Sequence, residues 1–146
     1  MTAVPLPPAL REALTSESWK DPGPEALRRA LGLSEQEGPL ELLETPREMQ
    51  DVLNQVIASN YPELPWFGMV RSSTELAGED DPRVALDRVV FLAVSRYPGD
   101  DVFAVLDLSR SARAQTVWVL DWPAQGPSRW RPALPVEAFV SMVAGS

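Results

Sequence analysis

Cysteine and histidine are both missing from this 146-residue chain. Without cysteine there is no disulfide, thiolate zinc site or cysteine nucleophile. Without histidine there is no Ser-His-Asp triad, no imidazole acid or base, and none of the usual mixed zinc sites. Lysine is nearly absent: Lys20 stands alone beside twelve arginines, a bias we read as compositional. No apolar run approaches the roughly 20 residues of a membrane-spanning helix. The first residues, Met-Thr-Ala-Val-Pro-Leu-Pro-Pro, carry neither a basic nor a sustained apolar stretch, so no signal peptide and a cytoplasmic location are expected. No glycine-rich phosphate loop occurs; Gly78, Gly99 and Gly126 are isolated turn glycines. Carboxylate, Arg, Tyr and Ser/Thr chemistry remain.

What the chain has in excess is negative charge and proline. Net charge is −8, with 15 prolines. The charge is concentrated: Glu35 to Asp81 holds eleven acids against Arg47 and Arg71. An acidic face repels phosphate backbones, so direct nucleic-acid binding is disfavoured. It favours a basic protein partner, although a solvated, solubilising surface is the plainer reading.

The sheet signal centres on Arg88 to Leu108, where two β-branched and aromatic runs flank Tyr97-Pro-Gly-Asp-Asp101. Runs broken in this way predict an antiparallel hairpin. A third run, Gln115 to Leu120, extends it to a meander. The expected register sets Ser95 opposite Phe103, Leu108 opposite Gln115 and Val102 opposite Asp121. Strand 102–108, apolar at nearly every position, is then central and buried on both faces. Asp100, Asp101 and Asp121 fall at one end of the sheet and Asp107 near the other.

Helices are predicted from near Pro7 or Pro8 to Leu14, over Pro24–Leu31 with Gly32 closing it, and over 135–143 with Val136, Phe139, Val140 and Val143 on one face. The strongest signal is Thr45-Pro-Arg-Glu48, an N-cap, first-turn proline and N3 Glu in capping-box spacing. Met49, Val52, Leu53, Val56 and Ile57 follow as one buried stripe. Trp19 reads as a core anchor. Residues 39–44 read as an edge strand, 68–71 as a short strand and 72–77 as one helical turn. Gly78-Glu-Asp-Asp-Pro82 reads as an exposed loop, because adjacent like charges cost energy unless solvated. The expected fold is α+β, a single domain over 1–146 with a central antiparallel β-meander flanked by helices. Residues 1–35 form a helical lead-in and 36–146 the sheet-centred core.

Asp100, Asp101 and Asp121 together could bind a cation or work as an acid/base pair, yet no oxygen-ligand spacing is present and Asp is an ordinary turn residue. Trp122 and Trp130 with Arg129 and Arg131 could stack a base or sugar, or simply pack over the sheet. No catalytic, metal or cofactor residue is assigned.

From Tyr61 onward the order of motifs resembles the SUKH superfamily, largely immunity proteins of bacterial toxin systems. A Pro-aromatic segment leads to a strand and a Ser-x-x-Glu-Leu turn (Met69–Leu76), then a variable acidic loop and an apolar strand (Val89–Val94). A Gly-Asp turn (Gly99-Asp100), a strand ending in Asp107, and Val-Trp-Val with Asp121 follow, before a last helix bearing Phe139. The family's Asn-Gly turn has no counterpart. The resemblance implies a SUKH-like fold and a non-catalytic role: sitting on a toxin domain, often a nuclease, and blocking its basic site. The expected partner contacts are Glu79, Asp80, Asp81, Tyr97, Asp100 and Asp101. The alternatives are a SUKH-like regulatory or scaffold protein binding a housekeeping partner, or a carboxylate-dependent hydrolase.

Overall fold

The computed structural model describes residues 6–16, 18–33, 40–59, 68–78, 81–95, 102–109, 115–121 and 129–144. Among these residues seven strands and four α-helices follow one another as α1 (Pro8–Thr15), α2 (Pro24–Leu31), β1 (Leu40–Leu42), α3 (Pro46–Ala58), β2 (Met69–Val70), β3 (Val84–Ala85), β4 (Val89–Ser95), β5 (Phe103–Asp107), β6 (Thr116–Asp121), β7 (Arg129–Pro135) and α4 (Val136–Ala144). The fold is mixed α+β. Its main sheet has five strands in the order β1-β4-β5-β6-β7, all neighbours antiparallel, and β2 pairs with β3 in a small parallel sheet.

Central β5 is buried at every position, as its continuous apolar sequence requires. On its β6 side the register is the one the loop lengths predict, with Ala104 opposite Val119 and Val105 opposite Trp118. On its β4 side the expectation was off by one. Val94, not Ser95, faces Phe103, and the Ser95 N–H donates to the Val102 carbonyl at 3.0 Å. A bulge between Phe91 and Ala93 shifts the pairing again further down the strand, and an extra residue of this kind leaves no mark on alternation in an all-apolar run.

Strand β7 had no sequence expectation. Its Arg-Trp-Arg-Pro-Ala-Leu-Pro sequence carries two prolines that a central strand would exclude, but β7 is an edge, where a missing N–H is tolerated. Consecutive residues on it point to opposite faces. Trp130 is buried and faces Gly68, whose φ of +61° disfavours any side chain and whose Cβ, were there one, would come within 3.1 Å of Trp130 Cδ1, closer than ordinary contact. Arg131 turns the other way to α2, donating from Nη2 to the carbonyls of Leu31 (3.1 Å) and Gly32 (3.0 Å). The paired Trp and Arg residues at 130 and 131 are thus packing elements.

The helices form where caps and apolar spacing agree. Proline occupies the first turn of α1, α2 and α3, and Gly32 takes the left-handed conformation that ends α2. At α3 the Thr45 hydroxyl accepts the Glu48 N–H at 3.1 Å, while the Glu48 carboxylate accepts the Glu44 N–H at 2.9 Å, one residue further back than the N-cap N–H of a standard capping box. The predicted α3 stripe is only partly buried. Met49 and Val56 are buried, Val52 and Leu53 are half-buried, and Ile57 is 39% exposed.

One hydrophobic cluster holds all of this together. The lead-in contributes Leu10, Trp19, Leu27 and Leu31, the sheet contributes Phe91, Leu106 and Leu120, and α4 contributes Val136, Phe139, Val140 and Val143. Trp19 is the expected anchor: its ring lies 6.0 Å from that of Phe139, and its indole N–H donates to the Leu43 carbonyl at 2.9 Å. Helix α2 touches both margins of the sheet, β1 and β7. Beside it, Asp21 accepts the outward-facing Leu42 N–H of edge strand β1 at 3.1 Å and the Gly23 N–H at 2.7 Å. A side chain therefore covers part of the β1 edge that would otherwise invite another strand.

Candidate functional site

Glu75, Asp81 and Asp87 gather around a small segment between β2 and β4. Ser72 and Glu75 cap a 3₁₀ turn at Ser73–Glu75, each side chain taking up a backbone N–H of the other end. Asp87 accepts both the N–H (2.9 Å) and the hydroxyl (3.2 Å) of Ser73. These groups fix the turn against the start of β4.

Asp81 overturns the expectation of three exposed neighbouring acids. It is buried, 8% exposed. Its Oδ2 accepts the Ala77 N–H at 2.9 Å and Arg83 Nη2 at 2.8 Å, and its Oδ1 accepts the Arg83 N–H at 2.9 Å and Arg83 Nε at 3.0 Å. Arg83 Nη2 also reaches the Glu75 carbonyl at 3.2 Å. The side-chain hydrogen bonds from Arg83 hold the Asp81 carboxyl far below the usual carboxylate range, burial opposes this, and the two backbone N–H groups add to it. The same contact raises the Arg83 guanidinium. The charge argument for exposure fails because a bidentate fork and two backbone donors replace water around the carboxylate. A signal was present in the sequence: Asp81-Pro82-Arg83 starts a turn in which the Asp side chain bonds the backbone two residues on.

Asp81 is therefore an internal strut rather than a surface contact. Of the other expected contact residues, Glu79, Asp80, Tyr97, Asp100 and Asp101 lie outside the described residues, as does Trp122. Asp121 is placed by its backbone at the end of β6, opposite Arg129. Asp107 is fully buried at the end of β5, where it accepts the Ser109 N–H at 3.0 Å and the Ser109 hydroxyl. It closes a turn there, which the sequence had placed only as lying at the far end of the sheet.

A second set of acids lies on the surface formed by β1 and α3, where Glu41, Glu44, Glu48 and Asp51 are all exposed and Arg47 is the basic residue among them. Among the described residues no group of three or more Asp and Glu is arranged to hold a metal ion. No helix among them is long and apolar enough to cross a membrane. Compared with known proteins, the chain matches no family model, no curated protein and no solved structure.

Proposed function

We propose that this protein is a non-catalytic binding domain that neutralises a cognate bacterial toxin domain, as SUKH immunity proteins do, by laying acidic surface on the toxin's basic site. The observation that carries the reading is how the described carboxylates divide. Asp81 and Asp107 are buried and brace turns by accepting backbone N–H groups, while Glu41, Glu44, Glu48 and Asp51 stand exposed along one stretch of chain, Glu44 and Glu48 held in place by the Asp21 and Glu44 N–H groups. Bracing groups with a rigid frame and exposed groups of one sign make a pre-set charged surface, which speeds and orients docking to a basic partner. A chain lacking His and Cys also lacks the side chains from which most hydrolytic centres are built.

The contact surface we propose includes Glu79, Asp80, Tyr97, Asp100 and Asp101. The test pairs a co-expression rescue with a charge reversal. Candidate toxin domains encoded beside this gene are expressed in a bacterial host with and without the protein, and complexes are measured by calorimetry. Rescue with a tight complex is expected, and the Glu79→Lys, Asp80→Lys, Asp100→Lys, Asp101→Lys variant should weaken it at least ten-fold. Rescue with unchanged affinity in that variant refutes the placement. A residual turnover that dies with a single Asp or Glu replacement in a folded protein refutes the non-catalytic reading.

A further inference from the structure

We draw no further inference here: the strongest candidate, the open apolar groove between α1, α3 and the start of β4, lined by Leu14, Met49, Leu53, Val90 and Phe91 with exposed Ile57 one helical turn beyond Leu53, carries nothing because nothing in the structure shows what covers it.

Discussion

Helices α2 and α3 pack on the same sheet and are held in opposite ways. Helix α2 has eight residues, too few to be stable alone, and its surroundings are tied at both ends. Asp21 and Glu44 link the approach to β1, through the Leu42 N–H at 3.1 Å and the Asp21 N–H at 2.7 Å. Arg131 holds the exit to β7. Helix α3 has thirteen residues, carries its own N-cap, and keeps one row of side chains in contact with the core. A short helix needs directional pins to stay in place. A longer helix can rest on a narrow apolar row, and the groove beside Leu53 is the consequence.

The sharpest way to break the pinned side is Trp19→Ala. It removes a buried ring and leaves the Leu43 carbonyl without its indole donor, so a loss of about 3–5 kcal/mol is expected in urea denaturation. A loss below about 1 kcal/mol would mean that the lead-in adds little to the core. Asp81→Asn tests a pin of the same kind elsewhere in the chain. At pH 7 it should cost about 1–3 kcal/mol, toward the lower end because Arg83 is 43% exposed and water can replace part of the contact. The pH dependence has a definite sign. The folded carboxyl titrates below its unfolded value of about 3.9, so its stabilisation is complete above that value and is lost as pH falls through the acid range. Urea midpoints from pH 7 to pH 2 should converge for wild type and Asp81→Asn, and parallel curves would refute the strut.

On the open side the effects shrink. Thr45→Ala removes the α3 N-cap and should cost about 1 kcal/mol, read as a shift in urea midpoint at unchanged slope. Ile57→Gln should change stability by no more than about 0.5 kcal/mol, since the side chain already faces water. A larger loss would place Ile57 in the core and close the groove's outer end.

Most elements were legible because local chemistry and burial agreed. Thr45-Pro46 and Glu48 announce α3, Pro24 and Gly32 bracket α2, and Val136, Phe139, Val140 and Val143 mark one face of α4. The β-branched runs of β4, β5 and β6 fix their order and place β5 at the centre. The misses share another cause. Pro132 and Pro135 argue against a strand unless it lies at an edge, and only assembly of the sheet makes β7 an edge. The two-residue parallel pairing of β2 with β3 has no periodicity to read. The apolar stripe of α3 shows which side faces inward, but not which of its positions the rest of the chain covers, and Ile57 stays exposed. Of the candidate site, the sequence named the acids and missed the role of Asp81, since like charges in a row suggest solvent until a specific fork is seen to replace it.

By itself, then, the sequence determined the four helices and most of the strands, that β5 is buried on both faces, and that the chain holds no thiol or imidazole. Those properties are local: caps, turn residues and hydrophobic periods act over a few positions. Tertiary structure alone decided that α2 bridges both margins of the sheet through Asp21 and Arg131. It likewise decided that Asp81 turns inward on Arg83, and that α1, α3 and β4 leave an apolar groove between them. Each of these depends on where distant backbone donors, acceptors and apolar walls come to rest in space.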